Sequence, residues 1–283
     1  IKPDAATYVG SGKARELAGI VAQEEADTIV VDDDLPPSQR RALEDATKVK
    51  VVDRTAVILD IFAQHATSRE GKAQVELAQL QYMLPRLRGW GGSLSRQAGG
   101  RAAGDAGIGS RGPGETKIEM DRRVIRSRIA KLRKQIEQMA PARDVKRGAR
   151  RRFGLPTVAV VGYTNAGKSS LTNRLTGSAE LVENALFATL DTAVRRARAK
   201  DGRQYAYVDT VGFVRRLPTQ LIEAFKSTLE EVSEADLIVH VVDGSHPDPF
   251  SQIDAVDDVL SDIDGVETIP TIIVFNKADR MDE

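Results

Sequence analysis

The sequence contains no cysteine, only one tryptophan and no long apolar run. Without cysteine the chain can form neither disulfide bonds nor thiolate metal sites, which is typical of a protein in a reducing compartment. No apolar run approaches the ~18 residues of a membrane-spanning helix, and the residues after Ile1 do not follow the charged-then-apolar pattern of a secretion signal. We therefore expect a cytoplasmic protein without membrane insertion.

The chain also has no net charge, because its 41 basic side chains balance its 41 acidic ones. The charges are nevertheless segregated along the chain. Residues 54–152 contain 22 Lys and Arg against 9 Asp and Glu, which leaves 19 basic and 32 acidic residues for the two ends. A basic block between acidic ends indicates a polyanionic partner such as RNA, and the alternative is a set of solvated helix faces.

A phosphate-loop motif is the most informative feature that is present. It has the pattern of glycine, any four residues, glycine, lysine and serine, between an apolar run at 157–161 and a helical pattern at 168–175. Its residues are Gly162, Tyr163, Thr164, Asn165, Ala166, Gly167, Lys168 and Ser169. Glycine lets backbone N–H groups approach a triphosphate, Lys168 is expected to reach the β- and γ-phosphates, and Ser169 to bind Mg²⁺. The alternative is a chance glycine-rich turn.

Two later motifs extend this site. Asp209, Thr210, Val211 and Gly212 end an apolar strand, where Asp209 can bind Mg²⁺ through water and the Gly212 N–H can contact the γ-phosphate. Asn276, Lys277, Ala278 and Asp279 follow a strand at 271–275. The Asp279 carboxylate can accept hydrogen bonds from the ring N–H and the exocyclic amine of guanine, a pair that adenine does not present, and Lys277 is expected to lie across the base. The motifs together predict a GTP site.

The hydrophobic patterns predict an α/β protein in several parts. Residues 1–54 alternate helix and strand as a small N-terminal α/β subdomain, and residues 55–142 form a long antiparallel helical hairpin. A basic linker follows at 143–155, and a P-loop GTPase domain at 156–283 has a mostly parallel sheet flanked by helices and is truncated at its C-terminal end. Another glycine and lysine cluster, at 10–13, does not have the phosphate-loop spacing and is interpreted as a loop.

The tip of the predicted hairpin is a glycine-rich loop at 89–114, which Arg86 and several further arginines accompany. Glycine permits close backbone approach and arginine matches phosphate oxygens, so this loop is a candidate RNA-binding element, with a flexible linker as the alternative. Trp90 could stack on a base, although a lone tryptophan is more often a packing anchor. The candidate RNA-binding residues of the loop and the basic linker are Arg88, Trp90, Arg96, Arg101, Arg111, Arg147 and Arg151.

Beyond these patterns, the chain resembles the HflX family of ribosome-associated GTPases. The resemblance is carried by the motifs at 162–170, 186–191 and 209–213, and outside the nucleotide fold by Gly109-Ser-Arg-Gly-Pro-Gly-Glu-Thr116, Asp121-Arg-Arg123, 8–13 and 53–64. The resemblance implies a GTP- and Mg²⁺-dependent factor that binds the large ribosomal subunit and its RNA and that splits or rescues ribosomes under stress. We also expect a monomer without a DNA partner. Ser170 replaces a frequent threonine of the family.

The resemblance also identifies switch I, where spacing alone leaves Thr189 and Thr192 as alternatives. It implies that Thr189 binds Mg²⁺ and senses the γ-phosphate, and it adds five residues to the nucleotide-binding set: Phe187, Ala188, Thr189, Leu190 and Asp191. With Lys168 and Gly212, Thr189 completes the predicted catalytic group. The residue after Gly212 is Phe213, which cannot orient water, so we expect slow intrinsic hydrolysis that ribosomes stimulate.

Two other functions remain open at this point. The chain could be an RNA-binding module whose GTPase domain only anchors it, in which case RNA binding would not depend on the nucleotide. It could also be an ATP-driven RNA remodeller that uses the N-terminal subdomain, although the incorrect motif spacing at 10–13 argues against this.

Overall fold

The computed structural model describes residues 3–87, 113–142, 145, 148, 152–177, 193–199, 201–214, 221 and 229–281, with the backbone alone at 113–117 and 193. The chain forms two compact units. The first comprises residues 1–60 and 79–131, and the second comprises residues 61–78 and 132–283. The domain limits inferred from the sequence stay a prediction.

The first unit begins with alternating helices and strands. They are α1 (Ser11–Gln23), β1 (Thr28–Val31), α2 (Pro37–Thr47) and β2 (Lys50–Asp53). The two strands pair in parallel, with Thr28 opposite Lys50. Ala14, Leu43 and Val51 are buried together in a small core, because the apolar faces of the helices pack on the two-stranded sheet. The predicted alternation of helix and strand is confirmed, but the loop predicted at 10–13 is wrong in part, because α1 already begins at Ser11.

The sequence has one interrupted apolar stripe at 55–87, which predicts a single helical arm of the hairpin, whereas the structure has two helices there. Helix α3 spans Arg54–His65 and helix α4 spans Arg69–Met83, followed by a 3₁₀ turn at Leu84–Leu87. The break has a local cause, since the Ser68 hydroxyl accepts a hydrogen bond from the Gly71 N–H at 2.8 Å and thereby caps α4. After the glycine-rich loop, helix α5 spans Pro113–Glu137.

Arg86 occupies a buried cluster in the first unit instead of joining the arginines of the loop. Its guanidinium donates to Asp53 Oδ2 at 3.0 Å and to the carbonyl of Leu35 at 3.0 Å, and it stacks over the Tyr82 ring. The Tyr82 hydroxyl donates to Asp53 Oδ1 at 2.7 Å. Burial first, and then this bond to a carboxylate, raises the pKa of Tyr82. Arg86 is therefore a packing residue at the start of the loop.

The second unit contains a five-stranded sheet. Its strands are β3 (Thr157–Gly162), β4 (Ala193–Arg198), β5 (Gln204–Asp209), β6 (Leu237–Asp243) and β7 (Thr271–Asn276). Their order is β4-β5-β3-β6-β7, and only the β4–β5 pair is antiparallel. That pair turns at Asp201 and Gly202, a dipeptide that predicts a hairpin turn from the sequence, and Gly202 has a φ of 88°.

Helices α6 (Lys168–Thr176) and α7 (Pro249–Ser261) accompany this sheet. Every residue of β3 is buried, as expected for a central strand covered on both faces. One face packs Val161 and Ile238 against Val256 of α7, while Val160 and Val241 pack with Ala166 on the other face. The predicted mostly parallel sheet is confirmed. Among the helices of the described part of the chain, none is both long and apolar enough to cross a membrane.

Candidate nucleotide-binding site

The phosphate-loop motif connects the central strand β3 to the N-terminus of α6. Gly162 has φ 148° and Gly167 has φ 95°, conformations that favour glycine. A Cβ at Gly162 would collide with the carbonyl of Val241, and one at Gly167 would collide with the Asn276 side chain. The loop therefore passes tightly over the sheet edge, and α6 begins at Lys168 with no side-chain cap from Gly167. N–H groups at such a helix start favour anions.

Lys168 brings a buried positive charge into this loop. Its side chain is only 6% exposed, and its ammonium donates to the carbonyls of Gly162 at 3.0 Å and Tyr163 at 2.9 Å. Burial lowers the pKa of Lys168 to about 8, although the Asp209 carboxylate opposes the shift. A buried ammonium is costly to desolvate, so an anion bound at the loop would stabilise it.

The second motif lies directly beside the phosphate loop. Strand β5 pairs with β3 so that Asp209 lies opposite Val160, and the Thr210 hydroxyl donates to the Val160 carbonyl at 2.8 Å. Asp209 is fully buried. A Cβ at Gly212 would lie 3.1 Å from the Lys168 Nζ, so the Gly212 backbone is adjacent to the buried ammonium. The structure thus brings together the predicted phosphate-contacting groups of two motifs.

Phe213 turns away from this group. Its backbone bonds the phosphate loop twice, donating to Gly162 O at 3.1 Å and accepting from the Thr164 N–H at 2.8 Å. Its side chain is fully buried in the core with Val161 and Ile238. The aromatic ring therefore belongs to the hydrophobic core.

The third motif reaches the same edge of the sheet from β7. The Asn276 side-chain amide donates to the Ala166 carbonyl at 2.8 Å, which joins the predicted base-recognition motif to the phosphate loop. Asp279 lies in a 3₁₀ turn at Ala278–Arg280 with its side chain 80% exposed. Lys277, expected across the base, has its ammonium 2.7 Å from Asp243 Oδ2.

Sequence reasoning did not single out Asp243. The signal was available, because Asp243 follows the buried run of β6 and the carboxyl ends of neighbouring parallel strands lie at one edge of a sheet. The predicted residues at 187–191 and the seven candidate RNA-binding residues, by contrast, lie outside the described part of the chain, and their roles stay predictions. The sequence pattern also predicts a helix at about 218–232, and most of that range lies outside the described part of the chain too.

The oxygen atoms at the site suit a hard cation. Ser169 lies in the first turn of α6 and Asp209 at the end of β5, so the two motifs offer a hydroxyl and a carboxylate beside the phosphate loop. Mg²⁺ prefers oxygen ligands and is usually bound by one or two protein groups together with substrate phosphates. The residues present therefore fit a nucleotide-bound Mg²⁺ ion.

Three family models match consecutive parts of the chain. They are described as GTP-binding GTPase N-terminal, over residues 1–63, GTP-binding GTPase Middle Region, over 65–150, and 50S ribosome-binding GTPase, over 157–277. Among solved structures, the complex of SsGBP with GDP is similar at 27% identity and a TM-score of 0.51, over 99% of this chain and 74% of that one. The fold and the site define a P-loop domain of the GTPase class.

Comparison with curated relatives identifies the family within this class. The chain is 52% identical over 277 residues to the GTPase HflX of Caldanaerobacter subterraneus subsp. tengcongensis and 46% identical over 277 residues to the GTPase HflX of Escherichia coli K12. Each match covers 98% of this chain. The chain belongs to the HflX family of GTPases. It spans 63% of the length of each of these two relatives.

Proposed function

We propose that the chain binds GTP with Mg²⁺ and hydrolyses it to GDP and phosphate. The observation that carries this proposal is the 2.8 Å hydrogen bond from the Asn276 amide to the Ala166 carbonyl. The bond connects the strand end at Asn276, which we propose recognises guanine, with the phosphate loop, and ligands of parallel α/β sheets bind at this edge. One nucleotide can therefore contact both motifs.

The residues have separate roles in this proposal. Lys168 neutralises the β- and γ-phosphates, the Gly212 N–H contacts the γ-phosphate, and Asp279 selects guanine. Ser169 and Asp209 hold Mg²⁺, and by family resemblance Thr189 joins them. The bound ion supplies charge neutralisation at the phosphates. The nucleotide-binding surface comprises residues 162–170, 187–191, 209–212, 276, 277 and 279.

Hydrolysis by the chain alone is proposed to be slow. Phosphoryl transfer to water needs an ordered nucleophile, and the residue after Gly212 has its ring in the core. No side chain at position 213 can therefore orient water, and a partner that rearranges the switch residues would accelerate the reaction.

The proposed partner is the large ribosomal subunit. Support comes from the family model for residues 157–277, described as a 50S ribosome-binding GTPase, and from the basic block at 54–152. GTP would favour the bound state and hydrolysis would favour release, so that the factor splits or rescues ribosomes under stress. The proposed RNA contacts are Arg88, Trp90, Arg96, Arg101, Arg111, Arg147 and Arg151.

Calorimetry with GDP and ADP tests the nucleotide proposal. We expect GDP to bind in the presence of Mg²⁺ and ADP not to bind measurably. Lys168→Ala should abolish binding and GTP hydrolysis, because the phosphates lose their buried cation. Lys13→Ala is the matched control, since the Lys13 ammonium pairs with Glu16 at 2.7 Å on the surface and lies in the second glycine and lysine cluster. ATP binding that requires Lys13 would contradict the proposal and favour an ATP-driven remodeller.

Cosedimentation with ribosomal subunits tests the partner. The full chain is mixed with large subunits and a nonhydrolysable GTP analogue, GDP or no nucleotide, beside a variant lacking residues 90–113. Binding that requires the analogue and weakens with the deletion would support a GTP-switched factor. Equal binding in all three nucleotide states would instead identify a nucleotide-independent RNA-binding module.

A further inference from the structure

The Lys277 side chain is held by a carboxylate that lies outside the nucleotide-binding motifs. Lys277 Nζ and Asp243 Oδ2 are 2.7 Å apart, and the two side chains are 22% and 17% exposed. Because solvent screens a partly buried ion pair less than a surface pair, this contact restricts Lys277 more than an exposed partner would.

Asp243 is itself fixed in orientation. Its Oδ1 accepts hydrogen bonds from the Ser245 backbone N–H at 3.1 Å and from the Ser245 hydroxyl at 2.7 Å, while Oδ2 accepts from Lys277. Burial acts to raise the pKa of Asp243, but the bonds from Lys277 and Ser245 outweigh it and lower the pKa below its ordinary value. The carboxylate is thus charged at neutral pH and both of its oxygens are engaged.

The backbone around Lys277 depends on these contacts. Asp243 and Asn276 lie opposite each other in β6 and β7, and the Gly244 N–H donates to the Asn276 carbonyl at 2.9 Å. Lys277 follows with a φ of 58°, a left-handed conformation that residues other than glycine rarely adopt. Such a conformation persists only where surrounding contacts hold it, and the ion pair is one of them.

We propose that Asp243 is a positioning residue for guanine specificity, because it holds Lys277 and thereby fixes the turn from which Asp279 reaches the base. This inference rests on the guanine site proposed above. Asp243 acts through Lys277 rather than on the nucleotide. Without Asp243 the Lys277 side chain loses its partner, the left-handed turn loses a restraint, and Asp279 is less well aligned with the exocyclic amine of guanine.

The ratio of the GDP and IDP dissociation constants tests this role. IDP has the same phosphates and sugar but lacks the exocyclic amine, so the ratio reports the bond to Asp279. In the unmodified protein we expect GDP to bind about tenfold more tightly than IDP, as a hydrogen bond to a charged group implies. In Asp243→Ala the two affinities should become nearly equal, and Asp243→Asn, which keeps an acceptor oxygen, should restore part of the difference.

Asp248→Ala is a matched control. Asp248 lies five residues further along and accepts from the Ser251 N–H at 3.1 Å as the cap of α7, without any contact to Lys277 among the described bonds. The control should lower the thermal stability and leave the ratio unchanged. If Asp248→Ala lowered the ratio as much as Asp243→Ala does, the effect would come from removing any nearby carboxylate, and the inference would be overturned.

A double-mutant comparison shows whether Asp243 acts through Lys277. In a Lys277→Met background, Asp243→Ala should cause no further loss of the ratio. The inference is overturned if Asp243→Ala leaves the ratio unchanged, or if it lowers the ratio as much in the Lys277→Met background as in the unmodified protein. In either case the guanine site itself still stands, provided that GDP binds in preference to ADP. Unmodified protein that binds GDP no better than ADP would overturn the guanine site and this inference with it.

Discussion

The Arg86 guanidinium lies 3.0 Å from the carboxylate of Asp53, whose side chain is completely buried. The sequence places Arg86 with the arginines of the glycine-rich loop, whereas the structure pairs it with an acid on the two-stranded sheet. The Arg86 side chain is 13% exposed. Its charge is therefore satisfied inside the first unit, at the point where the chain enters the loop.

Replacing Arg86 with methionine should destabilise the protein strongly. Methionine keeps much of the packing but leaves the buried Asp53 carboxylate uncompensated, which costs about 3 kcal/mol or more of the free energy of unfolding. Urea denaturation monitored by circular dichroism measures the change. Arg40→Met is the control, because Arg40 pairs with Glu44 one turn further along α2, at 3.4 Å, and such pairs within a helix contribute about 0.5 kcal/mol or less. An equal decrease in the free energy of unfolding in the two variants would contradict the prediction that Arg86 compensates a buried charge.

Nucleotide affinity should depend on pH through Lys168. Burial lowers its pKa to about 8, and bound phosphates favour the charged form, so above this pH binding must take up a proton. The affinity for GDP should be constant below about pH 8 and fall by up to about tenfold per pH unit above it, as one linked proton requires. Calorimetry in two buffers of different ionisation enthalpy measures the proton uptake.

Lys168→Arg is the control for this pH dependence, since a guanidinium stays protonated throughout the range. Whatever affinity the variant retains should not fall between about pH 8 and about pH 9. The same slope in both proteins would assign the titration to another group.

The stability of the second unit should decrease in acid because of His240. This side chain is 2% exposed in β6, with Nδ1 3.9 Å from Asp257 Oδ1. Burial lowers the pKa of His240, the Asp257 carboxylate opposes this, and Lys168 adds to the lowering. The unfolded chain therefore takes up the proton first. The stability contributed by neutral, buried His240 is fully present above the ordinary pKa of 6.5. As the pH falls below 6.5, the free energy of unfolding decreases by at most about 1.4 kcal/mol per pH unit.

Urea denaturation between about pH 7.5 and about pH 5.5 measures this loss, which spans the ordinary histidine pKa. A His240→Leu variant should lose less stability over this range than the unmodified protein. His246→Gln should follow the unmodified protein, because His246 bonds through Nδ1 to its own exposed turn. If His240→Leu lost as much stability as the unmodified protein, a different group would be responsible.

Phe213→Gln should lower stability without accelerating hydrolysis. The Phe213 ring is fully buried with Val161 and Ile238, so the variant leaves a cavity and buries an amide, at a cost of about 3 kcal/mol. From the sequence, glutamine at this position is a candidate for orienting water, but the structure directs the side chain into the core. Single-turnover GTP hydrolysis checks this, with Phe213→Leu as a milder packing control. Faster hydrolysis in Phe213→Gln would show that the side chain reaches the phosphates.

Local patterns predicted much of the fold. The apolar run of β3, the glycines of the phosphate loop and the turn at Gly202 each depend on neighbours in sequence, and the structure has them where the pattern placed them. The sequence pattern did not predict the break between α3 and α4, because Ser68 can cap a helix only where the backbone already leaves the preceding helix. A serine within an apolar periodicity is equally compatible with a continuous helix.

The sequence by itself determined the motifs, since phosphate and guanine recognition need particular residue types at fixed spacings along strand ends. Only the tertiary structure decided which charged partners these residues have. Asp53 and Arg86 are 33 residues apart in the chain, and Asp243 and Lys277 are 34 apart. Neither pair follows from periodicity or spacing, because the strands and turns that bring each pair together are positioned by core packing across the whole unit.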